Sequence, residues 1–240
     1  MRTGNPVLKN NTFQSRSQGE TMTLGGTVAK IALLFIFLLG TSLYTWYQYS
    51  LGADVTAMML IGAIGGLIFA LITAFIPKAA PITAPIYAAL EGFFIGGISA
   101  FFESSYPGIV IQAASLTLAV MGVLLFLYAS RVIKVTKNFR LMVVSATLGI
   151  FVVYLINFVM NIFFGMEVPY LHSSGPIGIG ISLFIVAIAA LNLVLDFDFI
   201  EEGVNRGAPK HMEWYGAFGL IVTLVWLYIE ILRLLQKLRR

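Results

Sequence analysis

Seven apolar runs dominate this chain: Val28–Gln48, Val55–Ile76, Ile82–Phe102, Gly108–Ala129, Leu141–Phe164, Ile177–Phe199 and Trp214–Leu235. Each is 21–24 residues long, and a helix needs roughly 20 apolar residues to cross the ~30 Å hydrocarbon core of a bilayer. Strands of a membrane barrel would be about ten residues long with alternating polarity, so the runs predict helices. Composition agrees. Of 240 residues, 59% are hydrophobic and 11% charged, with a mean hydropathy of +0.91, against about 45–50% apolar and about 25% charged in soluble domains. A soluble fold of this balance would expose large apolar patches and associate. The sequence predicts an all-α integral membrane protein, with a polar N-terminal tail over residues 1–27 and a seven-helix domain over 28–240.

The breaks between runs are short. Pro77-Lys-Ala-Ala-Pro81 separates the second and third, and Tyr106-Pro107-Gly108 the third and fourth. No internal repeat supports an inverted-repeat transporter. Cysteine is absent, which excludes disulfides and thiolate chemistry. His172 and His211 are too few for a three-histidine zinc site. No cofactor is expected. The net charge of +4 calls for no nucleic acid, because basic residues on cytoplasmic loops are usual in membrane proteins.

Lys and Arg distribution sets the expected orientation. Arg2, Lys9, Arg16 and Lys30 lie at the N-terminus, Lys78 in the 2–3 loop, Arg131, Lys134, Lys137 and Arg140 around the 4–5 loop, and Arg206 and Lys210 in the 6–7 loop. The 1–2, 3–4 and 5–6 loops carry neither residue. The N-terminus is therefore expected inside. Seven crossings then place the C-terminus outside, yet it carries Arg233, Lys237, Arg239 and Arg240. Either the seventh segment crosses against its charge or it re-enters.

Ionisable groups at membrane depth each cost at least a few kcal/mol to insert, so they are the first candidates for function. Glu91 lies in the third run, about nine residues or ~13 Å from its cytoplasmic end. It can be a structural carboxyl, or a proton or cation site beside the close helix contact that Gly92-x-x-x-Gly96 permits. Gly62-x-x-x-Gly66 repeats that spacing in the second run. Asp196 and Asp198 close the sixth run among Leu195, Phe197, Phe199 and Ile200, which suggests that both face into the bundle. Burial and like charge push a carboxyl toward its neutral form and a basic partner pushes it back, the opposition a pH switch needs. Glu230 in the seventh run has Arg233 one turn later as a ready partner. Glu213 reads as a loop acid.

Four segments together resemble the Bax inhibitor-1 family, in its bacterial branch. They are Pro85-Ile-Tyr-Ala-Ala-Leu-Glu91-Gly, Tyr106-Pro-Gly-Ile-Val-Ile-Gln112-Ala, Asn192-Leu-Val-Leu-Asp196-Phe-Asp198-Phe-Ile-Glu201 and Glu213-Trp-Tyr-Gly-Ala-Phe-Gly219. The resemblance implies seven transmembrane helices, six surrounding the C-terminal one, and so favours a genuine seventh span. It implies a pH-dependent calcium leak channel, whose latch joins an aspartate at the end of helix six to one in helix seven. Asp198 matches the first, with Asp196 beside it; these two are also the candidate ligands of a transient Ca2+. Thr223 falls at the helix-seven position. Glu230 lies seven residues on, near the same helical face but about 24 Å from the inner end, too deep to meet Asp198. Glu91, Glu230 and Thr223 remain candidates for a conduction path.

The expected partners are the lipid bilayer, Ca2+ and protons, and the expected site is a bacterial cytoplasmic membrane. A non-transporting regulator of a membrane protease is the alternative, since the resemblance also includes proteins associated with protease modulation. An enzyme is not expected: Ser99 has no Gly-x-Ser-x-Gly setting, and neither histidine lies at membrane depth to act as a base.

Overall fold

The computed structural model describes residues 20–166, 168 and 173–240. The tail charges Arg2, Lys9 and Arg16, together with Glu167 and His172, lie outside them. Among the described residues there are seven long helices: α1 (Leu24–Ser50), α2 (Thr56–Phe75), α3 (Ala80–Ser105), α4 (Ile109–Ala129), α5 (Lys137–Phe164), α6 (Pro176–Asn205) and α7 (Met212–Arg239). A 3₁₀ turn over Pro77–Ala79 leads into α3. All seven are long and apolar enough to cross a membrane.

Five of the seven helices, all but α2 and α4, outrun their apolar runs, and polar groups cap several helix starts. α1 begins at Leu24, inside the stretch assigned to the tail, since the Thr23 hydroxyl accepts a hydrogen bond from Gly26 N. Thr136 does the same for α5 through Phe139 N. At α4 the cap comes from the preceding helix: Glu103 accepts from Gly108 N at 2.6 Å and Val110 N at 3.1 Å. Gly108 has φ +80° there, a conformation glycine adopts without strain.

α7 is the most enclosed helix, with more than half of its apolar stretch buried. α1, α3, α4 and α6 pack directly on it. α5 packs against α6 and reaches α7 through side chains, whereas α2 packs against α3. The C-terminal helix is thus central: four helices pack directly on it, and α5 reaches it through side chains. Small residues set the tightest contacts. A Cβ at Gly62 would lie 2.6 Å from Leu90 O and 2.7 Å from Phe94 N, so α2 meets the backbone of α3. Gly92 and Gly96 press equally close to Leu38 O and Ser42 O of α1.

The ends of the bundle settle the seventh span. At one end, Met22 N donates to Ala208 O, Lys210 N donates to Glu20 O, and the basic 4–5 loop meets the end of α6. At the other, Arg239 donates to Tyr106 O and Pro107 O of the 3–4 connection and to Gln112 Oε1 in the first turn of α4, and Lys237 to Gly178 O and Ser182 Oγ at the start of α6. α7 therefore runs the length of the bundle, and the re-entrant alternative falls. Carbonyl and hydroxyl oxygens receive these basic groups, so the charges at the end of α7 are met within the bundle.

Candidate functional site

The second half of α6 carries the site. Asn192 Nδ2 donates to Thr147 Oγ1 of α5 at 2.8 Å, fixing the rotation of α6 against α5. One turn further, Asp196 and Asp198 are two residues apart and so about 200° apart around the helix. They face different neighbours, and the structure does not bring them together.

Asp196 faces α7. It lies beside the Thr223 side chain, and its Oδ1 is 3.7 Å from where a Cβ at Gly219 would stand. Gly216 faces Ile200 one turn along, so two small positions on α7 let α6 approach at this level. Asp196 Oδ2 is buried without a hydrogen-bond partner among the described residues. Thr223, itself buried, donates to Gly219 O at 3.2 Å.

Asp198 turns outward to α5. Arg140 Nη2 donates to its Oδ2 at 2.6 Å, and the Tyr128 hydroxyl lies 3.5 Å from its Oδ1. The next acids extend the cluster. Glu201 accepts from Tyr128 and from both guanidinium nitrogens of Arg131, and the bidentate carboxylate contact holds the Arg131 guanidinium firmly protonated. Glu202 pairs with Arg206 at 2.5 Å and reaches Arg140 at 3.6 Å. The Arg140 side chain is 51% exposed, and pairs of this kind contribute about 0–1 kcal/mol each. Their effect is positional: they tie α6 to α4 and α5 at one end of the bundle.

The remaining candidates lie elsewhere. Glu91 is half-buried on α3 against Gly66 of α2: a Cβ there would come within 2.9 Å of its Oε2. Glu230 is buried near the opposite end, where both its oxygens accept from Tyr154 OH at 3.0 and 3.1 Å and Arg233 stands 3.4 Å away. Among the described residues no three acids or histidines converge as a metal site would require. A cavity of about 460 Å³ between α1, α3, α4 and α7 is almost wholly apolar; on its lining, Ser99 Oγ and Tyr228 OH share a hydrogen bond of 2.7 Å.

Glu213 is the residue the sequence reading misplaced. It is fully buried. Its Oε1 accepts from Thr23 N at 2.9 Å and Thr23 Oγ1 at 2.8 Å, with Lys210 Nζ at 3.2 Å, and its Oε2 lies 3.2 Å from Lys30 Nζ. One carboxylate thus joins the start of α1, the 6–7 loop and the start of α7. Its place in the first turn of α7 was the available signal, since acids are favoured there. Tyr128 and Tyr154 were also missed, because nothing in their local sequence separates them from other interfacial tyrosines.

No curated protein and no solved structure gives a significant match to this chain. A family does: Bax inhibitor 1 like matches residues 5–240, nearly the whole sequence. With seven membrane-length helices and a central C-terminal one already in place, the chain belongs to the Bax inhibitor 1 like family of membrane proteins.

Proposed function

We propose that this protein is a pH-sensitive cation leak channel, conducting Ca2+, with the acids at the end of α6 as its gate. The observation that carries the reading is the division of labour between Asp196 and Asp198. Asp196 faces the central helix, with its Oδ1 beside Gly219, its side chain beside Thr223 and its Oδ2 without a hydrogen-bond partner among the described residues, while Asp198 is ion-paired to Arg140 of α5. Protonation turns a carboxylate from an acceptor-only group into a donor, so a proton at either site rewrites the contact between α6 and its neighbour. Release of α7 would open the path, and ionised carboxylates would supply the oxygen ligands a hard cation prefers. The helix-seven partner is then a hydroxyl, Thr223, rather than a second acid. Glu91 would line the path deeper in the membrane, and Glu230, held by Tyr154 and Arg233, would be a structural acid.

The orientation in this reading puts the N-terminus and the basic loops in the cytoplasm of a bacterial cell, following the Lys and Arg asymmetry. The test is calcium flux into proteoliposomes at pH 6, 7 and 8. Wild type should show saturable flux that varies with pH. Asp196→Asn, which fixes a neutral side chain against Thr223, should flatten that variation; Asp198→Asn, which frees Arg140, should shift it. Flux equal to empty liposomes at every pH, from folded protein, would remove the channel and leave the regulator of a membrane protease as the function to pursue.

A further inference from the structure

The cavity of about 460 Å³ between α1, α3, α4 and α7 opens sideways. α1 and α4 both pack on α3 and α7 but scarcely on one another, so a gap between them faces the lipid. Its rim is Leu39 and Leu43 of α1 with Ile111 and Leu118 of α4, all exposed on the outside of the bundle. Its floor is the central helix, through the buried Ile221 and Leu224. Ser99 and Tyr228 supply a polar spot. Two hydroxyls carry two hydrogens, and the 2.7 Å bond between them uses one. Among the described residues neither hydroxyl has a second partner, so one hydrogen is left to donate. Glu103, also on the lining, turns its oxygens to Gly108 N and Val110 N, and its negative charge disfavours an anionic head at this place.

We propose that this cavity takes one acyl chain of a membrane lipid, which enters between α1 and α4 and sets its ester carbonyl at the Ser99–Tyr228 pair. Continuity with the bilayer names the occupant. Apolar walls do not hold water, and a void of this size forfeits the dispersion contacts of its lining. The apolar material at its mouth is the hydrocarbon of the lipid. The volume lies within the roughly 300–1,000 Å³ of small-molecule pockets, which occur between the helices of bundles. Depth fits the ester. The 26 residues of α3 span about 39 Å against a hydrocarbon core of ~30 Å, and Ser99 lies about 9 Å from the end of that helix. With α3 centred, the pair is about 5 Å inside the hydrocarbon boundary, close to the ester groups of the lipid. An ester carbonyl is an acceptor without charge, so it takes the spare hydrogen and escapes repulsion by Glu103.

Trp46 stands on the lining and reports occupancy. The full chain, freed of lipid in an alkyl maltoside whose chain carries no carbonyl, is titrated with phosphatidylcholine bearing dibrominated acyl chains, since bromine quenches indole fluorescence on contact. The ether-linked analogue of the same lipid, which lacks the carbonyl, is titrated in parallel. The contribution of Trp46 is the difference between wild type and Trp46→Phe. With the ester lipid it should saturate, and the ether lipid should bind about fivefold more weakly, the worth of one neutral hydrogen bond. The double variant Ser99→Ala/Tyr228→Phe should bind the two lipids alike. Ala114→Phe, which fills the gap from α4, should abolish saturation and serves if the double variant does not fold. Quenching of Trp46 that rises in proportion to either lipid, or that Ala114→Phe leaves unchanged, is ordinary contact at the surface of the bundle and overturns the proposal. Equal binding of ester and ether lipid by wild type overturns it as well, since the hydroxyl pair would then recognise nothing.

Discussion

Glu213→Ala should be the most destabilising single substitution among the charged residues, at about 3 kcal/mol, the scale for breaking a buried ion pair. Three groups depend on this carboxylate: Lys30 on α1, Lys210 in the 6–7 loop, and the backbone and hydroxyl of Thr23. Alanine leaves the two ammonium groups close to one another with no anion between them, and leaves Thr23 N without its acceptor. Glu213→Gln should cost less, because the amide oxygen can still accept from Thr23 while the charge is lost. The measurement is denaturant-induced unfolding in detergent, followed by helical content. Equal stability of the alanine variant and wild type would show that the start of α1 is held by other contacts.

A comparable loss is expected at the α1–α3 contact. At Gly92 a Cβ would overlap Leu38 O and the Thr41 hydroxyl oxygen, and at Gly96 it would overlap the Ser42 backbone. The obstacles are largely backbone, so no side chain can turn away to relieve them. Gly96→Leu should cost at least the 1–3 kcal/mol typical of overpacking and separate two helices that both support α7. Gly122 and Gly149 are the controls: an added Cβ meets nothing at either position, and alanine there should leave the unfolding midpoint unchanged or raise it. If Gly96→Leu were as benign as Gly122→Ala, the close packing of α1 on α3 would be wrong.

The spans were legible because a bilayer imposes a length, and Pro77, Pro81, Pro107 and Gly108 mark where that length ends. Helix ends were less legible. Hydropathy stops where side chains turn polar, whereas the backbone continues until its last carbonyls lose their partners; α6 runs on to Asn205 through a stretch where Glu202 and Arg206 pair one turn apart. Alternation of Asp196 and Asp198 with aromatic residues suggested two inward acids. On a helix, a spacing of two means opposite sides, and the partners that settle which side is which, Thr223 and Arg140, lie 27 and 58 residues away. Glu213 was misread for the same reason: Lys30, its partner on α1, is recognisable only once α1 and α7 are adjacent. The basic end of α7 left two topologies open because hydropathy counts charges and cannot count the carbonyls that receive them.

The central position of α7 has a consequence for how the chain is assembled. The helix that four others pack upon is the last of the seven in chain order, so α1 to α6 enter the membrane before their common core exists. Until α7 arrives, the small-residue contacts of α3 with α1 and α2 can form, because all their parts are already present. The faces that await α7 cannot close. Final docking then joins the earliest and latest helices at once, through Glu213 and Lys30 at one end and Arg239 against the 3–4 connection at the other. A ribosome stalled within α7 would leave a six-helix sheath with an open, apolar centre, the species that membrane quality control should recognise first.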